Sequence, residues 1–181
     1  MWRWIVANPE RDHVNTLKSE LQMAENLRRE VSLPEVLQRA IAAIVRTRID
    51  DWAAYRVDNE MMNLERLRMW LPGNLELQIN RIWHASAPHF HRAPMVSKII
   101  LGGYTWQLKQ NGAAEFVRMF STRGSIVSMG PLDIHVIERN EWEPSLSVCL
   151  FGMQYPEIPG AEPMTCFEAD AILGMAIRVA Y

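Results

Sequence analysis

At 181 residues the chain has room for one good-sized domain, and 49% apolar with 22% charged residues is the balance of a folded globular protein, which excludes global disorder and a fibrous repeat. Nineteen basic residues against 21 acidic ones leave a net charge of −2, so no excess positive field exists to neutralise phosphates, and no nucleic-acid partner is expected. No apolar run approaches the roughly 18 residues of a membrane span and the start lacks the length and cleavage site of a signal peptide, so the expectation is a cytoplasmic protein with no membrane partner.

The first 70 residues read as helical. Asn8-Pro9-Glu10 offers an N-cap, a proline at the first helical position and an acid in the first turn, and Val14, Leu17, Leu21, Ala24 and Leu27 follow at 3- and 4-residue spacing, predicting a helix to about Val31. Ser32-Leu33-Pro34-Glu35 supplies a capping box for a second helix, with Val36, Leu37, Ala40, Ile41, Ile44 and Val45 as its apolar stripe. Ile49 to Tyr55 reads as a third, short helix, and residues 61–71 lead to a turn at Pro72-Gly73-Asn74. Residues 1–71 are thus expected to form a helical N-terminal cap and residues 72–181 a β-barrel, the two making one structural domain.

Beyond the turn the period changes to two. Leu75, Leu77, Ile79 and Trp83 alternate with Glu76, Gln78 and Asn80, as in a strand with one buried face. Further strand-like runs are 96–108, 115–120, 125–129, 134–138, 146–151 and 175–181, separated by Gly, Pro and Asn. Seven or so short strands after a helical lead-in predict a mainly β sandwich or closed barrel.

The residues able to do chemistry are few. His89-Phe90-His91 places two imidazoles on one face of an extended segment. His135 follows in a stretch framed by Gly124, Gly130 and Pro131. Cys149 and Cys166 lack C-x-x-C spacing and are expected as free thiols. Counting back from Trp83, Arg81 falls in the register of Leu75, Leu77 and Ile79, and an arginine among inward-facing apolar residues needs an acceptor. Two readings of Arg81 are open: an anion contact for a substrate, or a structural ion pair with an acid such as Glu115.

These histidine motifs resemble those of the cupin superfamily. There H-x-H is followed about eleven residues on by glycine, here Gly102 or Gly103, and a second motif runs through a proline-glycine turn to a histidine and then an asparagine, here Asn140. The carboxylate ligand usual in the first motif is missing, since Met95 and Val96 stand in its place, and this leaves three histidines. A three-histidine cupin with a helical lead-in resembles the thiol dioxygenases, of which cysteine dioxygenase is the best known. Asp50-Asp51-Trp52-Ala53-Ala54-Tyr55 with Asp58 is similar to that family's acidic-Trp-Ala-x-Tyr helix, and Glu143-Pro144-Ser145-Leu146-Ser147-Val148-Cys149-Leu150-Phe151 to its E-P-x-x-S-x-H-x-Y strand.

The resemblance implies a cupin jelly-roll barrel with a mononuclear Fe(II) on His89, His91 and His135, and O2 as co-substrate with a small molecule. The departures qualify the chemistry. Ser147, Cys149 and Phe151 stand where the family has a Ser-His-Tyr relay, Val96 where some members carry a cross-linking cysteine, and Met62-Asn63-Leu64 where the substrate-carboxylate arginine lies. Arg81, Ser147 and Cys149 are therefore the catalytic candidates, and Leu64, Arg81, Trp83, Val96 and Phe151 the expected pocket wall. The expected activity is oxidation of a thiol or related anion other than free cysteine. The alternatives are a zinc or nickel cupin doing isomerase, lyase or ligase chemistry, and a ligand-binding cupin without catalysis.

Overall fold

The computed structural model describes residues 33–59, 62–83, 87–139, 144–153 and 161–180; the helix expected before Val31 lies outside them, as do His13, His84, Asn140 and Glu143. Helix α1, Leu33–Ile44, buries Val36, Leu37, Ala40, Ile41, Ala43 and Ile44. Val45, expected in that stripe, is 46% exposed, because the helix has ended and Thr47 turns back to give its hydroxyl hydrogen to the Ile44 carbonyl.

The third helix is corrected. Only Ile49–Asp51 forms a single 3₁₀ turn, closed by the Arg48 amide donating to Asp51 Oδ2. The chain then extends into β1, Ala53–Asn59, and β2, Met62–Leu71, which pair antiparallel from Ala53↔Arg68 to Asn59↔Met62. The acidic-Trp-Ala-x-Tyr stretch is thus a turn and a strand. The boundary expected at 71/72 falls inside a hairpin, since β2 continues through Pro72-Gly73-Asn74 into β3, Leu75–Ile82, with Leu71 opposite Leu75. Asn74 sits at φ 60 and Gly73 at φ 79 to close that turn. In β2 the strand period is masked, since buried residues stand on both faces, Leu64 and Arg68 on one and Glu65, Leu67 and Met69 on the other, and apolar and polar positions do not alternate.

The remaining strands are β4 (His89–Phe90), β5 (Met95–Leu101), β6 (Gly103–Lys109), β7 (Val117–Thr122), β8 (Ile126–Met129), β9 (Ile134–Arg139), β10 (Ser145–Phe151) and β11 (Glu162–Pro163). The expected 96–108 run is two strands, bent at Gly102-Gly103. Gly102 has φ 70, and a Cβ on Gly103 would overlap the Ser121 carbonyl oxygen. That bend carries the chain from one sheet to the other, because β5 belongs to a seven-stranded sheet, β11-β1-β2-β3-β10-β5-β8, and β6 to a four-stranded one, β4-β9-β6-β7. Among the described residues these are two separate sheets and not one closed barrel.

The expected last strand, 175–181, is corrected to helix: α2 spans Cys166–Ala180. Its start was legible in Thr165-Cys166-Phe167-Glu168, a capping box in which Glu168 accepts from the Thr165 amide at 3.0 Å and Thr165 Oγ1 accepts from the Glu168 amide at 3.3 Å. Ala169, Ile172, Leu173 and Ala176 then pack with α1 on one face of the larger sheet, against Leu67, Met69, Leu77, Ile79, Val96, Val148 and Leu150. The helices therefore cover the outside of this sheet rather than capping a barrel from its N-terminal end. Its other face meets the four-stranded sheet through Met95, Ile99, Tyr104, Trp106, Met129, Ile137, Cys149 and Phe151. No described helix is long and apolar enough to cross a membrane.

Candidate metal centre

Three histidines meet at one end of the space between the sheets. β4 pairs antiparallel with β9, which sets His89 directly opposite His135. His91 follows on the same side as His89, and the Leu132 amide donating to the His91 carbonyl ties it to the turn before β9. That turn is built by Asp133, whose Oδ2 accepts from the Gly130 amide at 2.8 Å, with Leu132 at φ 69. Phe90, between the histidines, points outward and is half exposed.

The ligating atoms of His89, His91 and His135 all lie within 4.8 Å of one another. His89 Nε2 and His135 Nε2 are 2.7 Å apart, and the His91 ring stands edge-on to both at a centroid distance of 5.1 Å. Nδ1 of His89 donates to the Ala87 carbonyl at 2.9 Å, which leaves the Nε2 lone pair directed at the cluster. Burial lowers the basicity of all three imidazoles. His91 falls to about 3 and His135 to about 2, with mutual repulsion adding to the burial. They are thus held as neutral imidazoles, the form that ligates a metal. Three converging neutral nitrogen donors with an oriented Nδ1 fit a mononuclear transition-metal ion with open positions.

The histidines form one end of a cavity of about 70 Å³, walled also by Leu64, Arg66, Asn80, Ile82, Met95, Ser97, Tyr104, Ile137, Ser147, Cys149 and Phe151. Of the expected site residues, His89, His91, His135, Leu64, Ser147, Cys149 and Phe151 are brought together here. Ser147, Cys149 and Phe151 occupy alternate positions of β10, so they share its inner face. Phe151 packs against the His91 ring at 5.1 Å. Cys149 Sγ donates to Ser97 Oγ at 3.2 Å and accepts from Asn80 Nδ2 at 3.3 Å, which makes it a hydrogen-bonded wall residue.

Arg81, Trp83 and Val96 are corrected. Leu75, Leu77 and Ile79 do face a core, but it is the one under the helices. Arg81 shares that parity and donates to Glu65, while its guanidinium lies over the Trp83 ring at 5.1 Å. Trp83 is 40% exposed and also donates to Glu65, at 3.0 Å. The structural-ion-pair alternative for Arg81 is realised with Glu65 as its acid. Val96 points to the helices, and its neighbours Met95 and Ser97 take the cavity wall.

The residue missed from sequence is Arg66. It lies on the inner face of β2 with Leu64 and Arg68, donates from Nε to Asn80 Oδ1 at 2.5 Å and sits 3.4 Å through Nη1 from the Tyr55 hydroxyl. Its charge disfavours protonation of His89 and His91. Alternation of Leu64, Arg66 and Arg68 with Leu67, Met69 and Leu71 was the available signal once residues 62–71 are a strand. Tyr104 also lines the cavity, with its hydroxyl pushed well above the usual phenol range by burial, so it is a neutral donor there.

No family model matches the chain, and no curated protein matches it by sequence. Solved structures do. A single-residue variant of Bacillus subtilis oxalate decarboxylase aligns with a TM-score of 0.52 at 14% identity, over 65% of this chain and 32% of that one. The cupin domain of Drosophila melanogaster CENP-C aligns at 0.41 and 8% identity over 54% and 73% of the two chains, and KdgF from a Halomonas species at 0.42 and 12% over 55% and 86%. This chain thus covers about a third of the oxalate decarboxylase chain, and at such identity the likeness is one of fold. Over 65% of its length this chain thus shares its fold with oxalate decarboxylase, and its two antiparallel sheets hold a three-histidine cavity that is a candidate metal site.

Proposed function

We propose that this cupin domain is a mononuclear non-haem Fe(II) dioxygenase acting on a small anionic substrate, a thiol or related donor other than free cysteine. The observation that carries this reading is the make-up of the cavity. Three neutral imidazoles stand without a carboxylate, and the only charged side chain among the described lining residues is Arg66. When bound, the ion supplies Lewis-acid and redox chemistry toward O2 and an anionic donor in the positions the histidines leave open. With no ligating carboxylate its charge stays uncompensated, which favours an anionic donor.

Arg66 takes the place expected of Arg81. Its guanidinium offers a charge-assisted contact of about 1.5–3 kcal/mol to a carboxylate or similar group. Leu64, Ile82, Met95, Ile137 and Phe151 keep water from the reacting end, and the neutral Tyr104 hydroxyl provides a donor. No described lining residue is acidic, so the ammonium of free cysteine has no partner, and an anion without one fits better.

One observation favours a second reading. Cys149 and Phe151 offer no strong base on the strand where the thiol dioxygenases carry their relay, which suits a zinc or nickel cupin working as a Lewis acid, or a ligand-binding one. Metal content of protein purified without added metal, together with O2 uptake over a panel of small thiols, separates them. Iron with thiol-dependent O2 uptake is the expected result; zinc or nickel with no uptake would overturn the dioxygenase reading.

A further inference from the structure

From the cavity wall, polar side chains form a continuous chain along one face of β2 and β3. Arg66 and Arg68 on β2 and Glu76, Gln78 and Asn80 on β3 are alternate residues of neighbouring strands, so all five share the inner face. Arg68 donates to Glu76 Oε2 at 2.7 Å, with the two side chains 2% and 0% exposed. The other oxygen of Glu76 accepts from the Gln78 amide nitrogen. Gln78 Oε1 accepts from Asn80 Nδ2 at 3.4 Å, and Asn80 Oδ1 accepts from Arg66 Nε at 2.5 Å.

The direction of this chain is set at its buried end. A carboxylate paired with a guanidinium only accepts, so the Gln78 amide must turn its nitrogen to Glu76 and its oxygen to Asn80. Asn80 must then turn its nitrogen to Gln78 and to Cys149 Sγ, which leaves its carbonyl oxygen for Arg66. A flipped Asn80 would present a donor to a guanidinium that has no acceptor to offer. Burying two amides is costly where apolar residues would pack. Cross-linking the sheet needs only Arg68 and Glu76, whereas Gln78 and Asn80 extend the chain to Arg66, the one cation among the described residues of the cavity wall.

We propose that Gln78 and Asn80 are positioning residues that transmit the orientation of the Arg68–Glu76 pair to Arg66, so that its guanidinium is held ready for the carboxylate of a small ligand. The proposal rests on Arg66 being the anion contact. Its test uses protein loaded with Zn(II), which binds a thiol without consuming it, titrated calorimetrically with thioglycolate and with its methyl ester. The thiol's own acidity and any chelation of zinc by the carboxylate are common to all variants at one pH, so the change in the affinity ratio on substitution reads the protein's carboxylate contact. Arg66→Met is expected to lower the wild-type ratio about tenfold or more. Gln78→Met is expected to lower the ratio at least threefold with zinc content unchanged. Asn80→Leu, which keeps the size but removes the acceptor of Arg66 Nε, is expected to lower it at least threefold as well. If Arg66→Met keeps the wild-type ratio, the anion contact itself fails and the proposal with it. If Arg66→Met lowers the ratio while Gln78→Met and Asn80→Leu lose only thermal stability, the Arg66 reading survives and the positioning role is overturned; Asn80→Leu decides it alone should Gln78→Met not fold.

Discussion

Removing any one of His89, His91 or His135 leaves two imidazoles, fewer than the three protein ligands of an open mononuclear site. Alanine at each position is therefore expected to reduce bound metal to a few per cent of wild type by elemental analysis, with the circular dichroism of the two sheets unchanged. Arg81 and Cys149 behave differently. Arg81→Met removes one of three donors to Glu65, since Arg56 and Trp83 remain, and is expected to cost about 1–2 kcal/mol of stability with no change in ligand affinity. Denaturant unfolding and calorimetry check the two halves. Cys149→Ser keeps a small donor and acceptor between Ser97 and Asn80, so turnover within about tenfold of wild type is expected, below the 10²–10⁴ typical of a general acid or base.

Strand parity decides which side chains reach the cavity. Leu64 and Arg66 look inward from β2 while Glu65 and Leu67 look toward the helices, and on β3 Asn80 and Ile82 look inward while Ile79 and Arg81 do not. On the helix side Glu65 gathers Arg56, Arg81 and Trp83, and Arg56 reaches on to Glu168 of α2. Burial would raise the Glu65 carboxyl, but the hydrogen bonds from Arg81, Arg56 and Trp83 outweigh it and bring the group down from 4.5 to about 2. The folded state thus binds this proton less readily than the unfolded chain. The stabilisation by Glu65 is full above about pH 4.5 and declines as the pH falls from there toward 2. Glu65→Gln is expected to be less stable than wild type at pH 7 and to show a flatter loss between pH 5 and 2 in urea unfolding. At the β5–β6 bend, Gly103→Ala would push a methyl into the Ser121 carbonyl and is expected to disrupt folding.

At the scale of the molecule, metal binding and folding are coupled because the ligands come from two separate segments, β4 with its following residue and β9. An ion at a hundred times its Kd adds about 2.7 kcal/mol to the folded state and nothing comparable to the unfolded chain. Fe(II) or Zn(II) is therefore expected to raise the melting temperature of wild type by several degrees and to leave His135→Ala unmoved, as read by anaerobic thermal unfolding.

How much of this was legible follows from what each pattern depends on. The H-x-H spacing, the turn chemistry around Gly130 and Asp133, and the alternation of β10 are local properties, so the three histidines and the Ser147-Cys149-Phe151 face follow from the chain itself. Residues 62–71 did not yield to the same method, because β2 buries a charged residue on each face, Glu65 on one and Arg68 on the other, and Leu67, Met69 and Leu71 can equally belong to a helix. The helix 166–180 was read as a strand from its last residues, although the Thr165–Glu168 capping box marked its true start. Which of two buried faces holds the cavity is not written in any single strand. Arg81 and Arg66 are both arginines on amphipathic alternations, and only the stacking of α1 and α2 on one face and the four-stranded sheet on the other sends Arg66 to the histidines and Arg81 to Glu65. Sequence by itself determined the donors and their likeness to cupin motifs, since these rest on spacing within a few residues. Tertiary structure decided which arginine lines the cavity, because that depends on which layer packs against which face.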